Sequence, residues 1–413
     1  MKLRQILTIL AMALACSAMS RAQNVKFKVL HNFGSPNDGN VPSGPLLIDA
    51  HGNLYGQTTA GPGQGAYGII FELMPQTNGT WREQILYKFA GETGGGFPWG
   101  GLVVDAHGNL YGTLEGSTNT DGAVFELEHR AGTWASSVLY TDGIAKADGP
   151  GVVFDKLGNL YGDIGPGQDY AGAIGELSPG PTGWTYAQLY SYCPQNDCSQ
   201  GVGQTAAPIW DAIGNLWGDT IEGGISQSPC FTSSGCGVIF EMIPNEDGSW
   251  TYNVMHQFAS SLTDGQEPDG GLILDSAGNF YGSTLAGGTH SYGTIFKFSN
   301  IGGTWQETIL YNFSNCTLAC YPEGTLAIDA SGNLYGTAQG GRNSCAGYGC
   351  GVIFKLAPQS NGTWKYSTLY NLNETSGGVS PFYGVILDSK GNLYGVTSNF
   401  GKYNLGTAFE LTP

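Results

Sequence analysis

The chain has 413 residues, 67 of them Gly, with 12% aromatic and 12% charged side chains and a formal charge of −17. A surface this acidic repels nucleic acid and anionic membranes, and much Gly with strand-forming aromatics and few charges points to many short strands rather than helices or disorder. No apolar run after the first residues is long enough to cross a bilayer.

The N-terminus, MKLRQILTILAMALACSAMSRAQ, places Lys2 and Arg4 before an apolar stretch from Ile6 to Ala15, with small residues at Ser20 and Ala22. This is the pattern of a secretory signal peptide over residues 1–22, cleaved after Ala22, and it implies a secreted or periplasmic protein. The alternative is a lipoprotein anchored at Cys16, although Leu14 sits one place nearer that Cys than a lipobox puts it. Cleavage removes three of the 16 basic residues and no acid, leaving the mature chain at −20.

After an isolated strand pattern at residues 25–33 comes DAHGNLYG, Asp49–Gly56, whose pattern Asp-x-x-Gly-Asn-Leu-Tyr-Gly is written seven times: again at Asp105–Gly112, Asp155–Gly162, Asp211–Gly218 (with Trp217 for the Tyr), Asp275–Gly282 (with Phe280 for the Leu), Asp329–Gly336 and Asp388–Gly395. An apolar run ends in Asp, two residues and Gly-Asn follow, and a second apolar run begins. That predicts two strands joined by a tight turn, with the Asp carboxylate accepting turn N–H groups rather than performing catalysis. In the first unit the strands are expected at Pro45–Asp49, Asn53–Thr58, Gly68–Leu73 and Trp81–Phe89. The fourth strand recurs with Trp81, Trp134, Trp184, Trp250, Trp305 and Trp364, which read as packing between units.

The seventh unit ends at Glu410-Leu411-Thr412-Pro413 without a fourth strand, and Val29-Leu30-His31-Asn32-Phe33 matches the missing piece. A spare first strand and an absent last one are what a closed ring needs, since closure leaves no exposed sheet ends. The expected fold is therefore all-β: a single seven-bladed β-propeller over residues 23–413 with four-stranded blades, the N-terminal strand completing the last one. A monomer is expected.

Beyond Cys16, eight cysteines fall in four close pairs, Cys193/Cys198, Cys230/Cys236, Cys316/Cys320 and Cys345/Cys350. In an exported chain these predict local disulfides. The run GNLYG-x-T, a Gly-rich loop such as Gly287-Gly288 or Gly340-Gly341, then G-[TV]-[IV]-F-[EK]-L resembles the GloVer tandem repeat of exported bacterial proteins. The resemblance implies a secreted, propeller-like repeat protein; some relatives carry C-terminal anchors, of which the end at Pro413 shows no sign.

No nucleophile elbow, zinc-protease helix, phosphate loop or dinucleotide fingerprint stands in a credible context. Of the six His, His290 alone is expected on the face formed by the long loops. After the Tyr-Gly of each second strand, or the Trp-Gly at Trp217, stand Gln57, Thr113, Asp163, Asp219, Ser283, Thr337 and Val396. The adjacent Asp163 and Asp219 could hold Ca²⁺ or share a proton, or each could cap its own Gly-rich loop.

Aromatic residues on the long-loop face, Trp99, Tyr321, Phe382, Tyr383, Tyr292 and Tyr348, offer flat surfaces to a sugar ring, and the acidic charge favours a neutral glycan. The function these features favour is a secreted binding or scaffolding module for a neutral glycan or an extracellular protein. The alternatives are a metal-dependent lyase or hydrolase working at the funnel mouth, and a surface-layer component.

Overall fold

The computed structural model describes residues 25–62, 67–91, 95–115, 122–141, 151–165, 171–194, 197–224, 230, 235–342, 345, 349–375 and 377–413. The expected signal peptide and Cys16 lie outside these residues, as does Tyr348.

Seven antiparallel sheets follow one another around a ring. Blade 1 runs Asn40–Ile48, Leu54–Ala60, Ile69–Pro75 and Trp81–Lys88 from the axis outwards. Blades 2 to 6 repeat this order, the innermost strand of blade 5 being split into Gly265–Pro268 and Ile273–Leu274. Blade 7 takes its outer strand from the other end of the chain: Lys26–Asn32 pairs with Thr407–Thr412, with Lys26 opposite Thr412 and Asn32 opposite Thr407. The fold is thus a seven-bladed propeller closed by its N-terminal strand.

The repeated octapeptide forms the turn its composition demands. Asp49 Oδ1 accepts the N–H groups of His51 and Asn53, both at 2.8 Å, while Asn53 Nδ2 donates to Oδ2 at 2.9 Å. The second-strand Tyr also reaches back: the Tyr335 hydroxyl donates to Asp329 Oδ2 at 3.0 Å, and in blade 4, where Trp replaces Tyr, Trp217 Nε1 donates to Asp211 Oδ2 at 3.1 Å. The Gly that closes the octapeptide is there for space. A Cβ on Gly56 would stand 2.4 Å from the Phe71 ring, and one on Gly282 would stand 2.5 Å from Phe296.

Packing lies between blades. Leu54, Phe71 and Leu73 of blade 1 share one core with Tyr394, Val396 and Ala408 of blade 7, and burying each large side chain is worth about 1.5–3 kcal/mol. The repeated Trp residues lie across the seams, Trp81 against Tyr394, Trp184 against Tyr111 and Trp364 against Tyr281. The four disulfides join Cys193–Cys198, Cys230–Cys236, Cys316–Cys320 and Cys345–Cys350.

At the axis, neighbouring backbones touch through glycine. A Cβ on Gly270 would lie 2.3 Å from the carbonyl of Gly324, and one on Gly324 would lie 2.2 Å from the N of Gly384. Among the described residues, no helix is long and apolar enough to span a membrane.

Candidate functional site

Inside the ring is a cavity of about 1230 Å³ to which all seven blades contribute. Five carboxylates line it: Glu115, Asp163, Glu222, Asp269 and Glu323. Among the described residues its lining includes no Lys, Arg or His.

The inner strands supply the wall through a Pro-x-Gly step: Pro98-Trp99-Gly100, Pro268-Asp269-Gly270 and Pro322-Glu323-Gly324. The Pro packs on the Gly that opens the preceding blade's third strand, so that a Cβ on Gly237 would meet Pro268 at 2.6 Å and one on Gly293 would meet Pro322 at 2.6 Å. The axial Gly accepts close backbone approach, and the residue between them reaches the cavity.

Electrostatically the cavity is short of positive charge. Burial pushes the Asp269 carboxyl up to about 6. Burial, then the Asp269 charge, push Glu323 up to about 8, opposed by Gln339 Nε2 donating at 2.7 Å. The Tyr383 phenol is raised by burial and by facing Asp269, Glu323 and Glu115, against a lowering hydrogen bond from Ser398.

Gln204, only 4% exposed, lines the same cavity with neither Oε1 nor Nε2 hydrogen-bonded. Leaving such a group unpaired costs about 1–3 kcal/mol, which water or a ligand would recover.

Of the aromatic residues expected to bind, the cavity gathers three. Trp99 stands edge-on to Tyr383 with centroids 5.9 Å apart, and Phe382 lines the wall beside them. Trp99 is not in an irregular loop, as its Pro and Gly neighbours suggest, but in the inner strand Pro98–Val104, paired with Thr113. Tyr292 and Tyr321 lie outside the cavity lining, packed together at 5.8 Å, with Tyr292 against the core of blades 5 and 6.

The two Asp residues have different surroundings. Asp163 lines the cavity and its Oδ1 accepts the Ala173 N–H at 2.8 Å. Asp219 lies behind the wall, 1% exposed, with both oxygens unpaired. Burial, then the charge of Asp269 rather than of Asp163, push it up to about 7. His290 is exposed and bonds Thr289 Oγ1 at 2.9 Å.

Asp269, Glu323, Glu115, Glu222 and Gln204 were not singled out by sequence. They occupy positions that vary from blade to blade; the residue inside Pro-x-Gly finds Asp269 and Glu323, and the acid just after the second strand finds Glu115 and Glu222, while Gln204 carries no such signal.

Fold and site define a seven-bladed propeller with an acidic, aromatic-rimmed axial funnel. The chain belongs to the Gloeobacter/Verrucomicrobia repeat family, whose model matches residues 18–231 and 227–413. No curated protein matches the sequence.

Among solved structures it is similar to PorZ of Porphyromonas gingivalis, an essential bacterial surface component of the type-IX secretion system, at 15% identity and a TM-score of 0.54. That match covers 91% of this chain and 47% of the other, so this chain spans just under half of PorZ. A putative oxidoreductase (glucose dehydrogenase) of Thermus thermophilus aligns over 94% of this chain and 100% of its own at 13% identity and a TM-score of 0.43. Trypanosoma rangeli sialidase, in complex with sialic acid, aligns over 94% and 59% at 13% identity and a TM-score of 0.41. At such identities the likeness is one of fold.

Proposed function

We propose that this protein is an exported binding module whose axial funnel takes a neutral glycan. The observation that carries the reading is the meeting of Trp99 from blade 2 and Tyr383 from blade 7 at a cavity walled by carboxylates and the unpaired Gln204 amide. A sugar ring offers an apolar face to the indole and hydroxyl donors to Asp269, Glu323 and Gln204. Anionic polymers would be repelled by the same wall. The four disulfides suit an oxidising compartment, and the signal-peptide pattern of residues 1–22 supports delivery to one.

The test is a glycan array with the mature protein, followed by titration of the best neutral glycan with Trp99→Ala. The substitution should weaken binding by about 1–3 kcal/mol, as for a central aromatic anchor, while the melting temperature holds within a degree or two. Binding that survives unchanged would remove the funnel from the reading.

A second reading, hydrolysis of the same glycan, is favoured by one observation. Asp269, pushed up to about 6, and Glu323, pushed up to about 8 and feeling the Asp269 charge, resemble a base and acid held in different states near neutrality. New reducing ends formed by the wild type but not by Asp269→Asn or Glu323→Gln would establish it.

A further inference from the structure

The seams between outer strands carry an internal correlation. Six residues after the repeated Trp stand Tyr87, Tyr140, Tyr190, Tyr311 and Tyr370, with His256 in blade 4 and His31 at the matching place of blade 7. Where the residue is Tyr, an aromatic ring of the next blade usually stacks on it: Tyr140 on Tyr186 at 4.3 Å, Tyr190 on Tyr252 at 3.8 Å, Tyr311 on Tyr366 at 4.7 Å and Tyr370 on Phe27 at 4.2 Å. Where it is His, the next blade presents Glu instead, Glu83 to His31 and Glu307 to His256. Both His seams also have an Asp-Gly in the turn that follows, Asp38-Gly39 and Asp264-Gly265.

The side chains converge. His31 Nε2 lies 2.8 Å from Asp38 Oδ2 and 3.6 Å from Glu83 Oε1, and His256 Nε2 lies 3.5 Å from Asp264 Oδ2 and 3.7 Å from Glu307 Oε2. In each trio one ligand atom per residue lies within 4.8 Å of the others. The Asp side chains are 1% and 2% exposed and Glu307 10%. His256 Nε2, Glu83 Oε1 and Glu307 Oε1 are shielded from water without a hydrogen-bond partner.

We propose that these seams are two divalent-cation sites of the zinc class, formed by His31, Asp38 and Glu83 and by His256, Asp264 and Glu307. One imidazole nitrogen and two carboxylates are ligands for zinc-like ions, whereas calcium and magnesium select all-oxygen sets. Ligands about 2.0–2.1 Å from a tetrahedral ion are separated by about 3.3 Å, close to the gaps at His256; the His31–Asp38 contact has to open slightly. The His rings, 19% and 15% exposed, leave an edge open for entry.

The second site should bind more tightly. The Lys88 charge acts on Glu83 in the first, while the corresponding residue of blade 5 is Asn312. An ion in the first would clamp the seam between blade 7 and blade 1, on the strand that closes the ring.

The test loads the mature protein with Zn²⁺, dialyses it at micromolar free metal and counts retained ions by mass spectrometry, with Co²⁺ absorption reporting N/O coordination. The wild type should retain two ions. The pair His256→Tyr and Glu307→Tyr, which recreates the stacked seam of Tyr190 and Tyr252, should retain one, and adding His31→Tyr and Glu83→Tyr should leave none. Glu307→Gln, which keeps shape and loses charge, should also drop the count by one if the Tyr pair fails to fold. Zn²⁺ should raise the wild-type melting temperature, because it binds the folded state. A wild type that retains no ion, or a count unchanged in the folded seam variants because the metal sits elsewhere, overturns the proposal.

Discussion

Single carboxylates in this ring act in opposite directions on stability. Asp329 collects the N–H groups of Ser331 and Asn333, the Asn333 amide and the Tyr335 hydroxyl. Burial pushes its carboxyl up, but these donors outweigh burial and hold it below the ordinary range. A depressed carboxyl contributes stability that is complete above the unfolded value, near pH ~4, and is lost as pH falls through the folded value. Asp329→Ala should therefore cost about 1–3 kcal/mol at neutral pH, with the gap to wild type closing in strong acid in urea titrations.

Asp219 has the reverse sign. Raised to about 7 by burial and then by Asp269, it carries no penalty below pH ~4, where both states are protonated, and a growing one as pH rises to about 7. A tenfold change in proton affinity corresponds to about 1.4 kcal/mol, so Asp219→Asn should stabilise the protein by about 2–4 kcal/mol at pH ~7.5 and by little at pH ~4. Equal urea midpoints for the two proteins under the mildly alkaline condition would contradict this.

At the level of the element, the strands around the octapeptide were legible because the sequence repeats its own turn, and Asp, Gly and Asn there have one shared purpose. The inner strands were half legible. The pattern marks Pro45–Asp49, yet pairing begins at Asn40, because a bulge between Ser43 and Leu47 lets the strand continue through Pro and Gly, residues that otherwise end strands. The same disguise hid Trp99 in a strand. It also hid the funnel acids, since their meeting depends on which blades face one another across the axis and not on spacing along the chain.

The glycine positions separate two costs. Gly270, with φ +114° and a would-be Cβ 2.3 Å from Gly324, combines backbone strain with collision, whereas Gly278, with φ +82° and nothing within 4 Å, has strain alone. Gly278→Ala should cost about 1 kcal/mol and Gly270→Ala clearly more, by about a further 1–3 kcal/mol. Melting curves of the two variants side by side decide it.

For the molecule as a whole, the closing strand is the most consequential element. Deleting residues 25–33 removes the outer strand of blade 7, the Phe27 ring stacked on Tyr370 and the buried Phe33, and exposes the edge of Thr407–Thr412. The truncated protein should lose several kcal/mol of stability and its single cooperative transition; a melting temperature within a degree or two of wild type would refute this. The short disulfide loops, spanning four to six residues in sequence, contribute roughly 2 kcal/mol each at most and pin loops more than they hold the ring.

The register of that strand pair, Lys26 beside Thr412, also decides how the ring yields to a pull. In an antiparallel pair the two ends of the chain emerge side by side. A tether drawing them apart loads the first ladder bonds before the last, so blade 7 peels like a zip rather than resisting in shear. A pull between Lys26 and Thr412 therefore meets the ladder bonds one at a time, whereas a pull on either strand alone leaves that pairing unloaded.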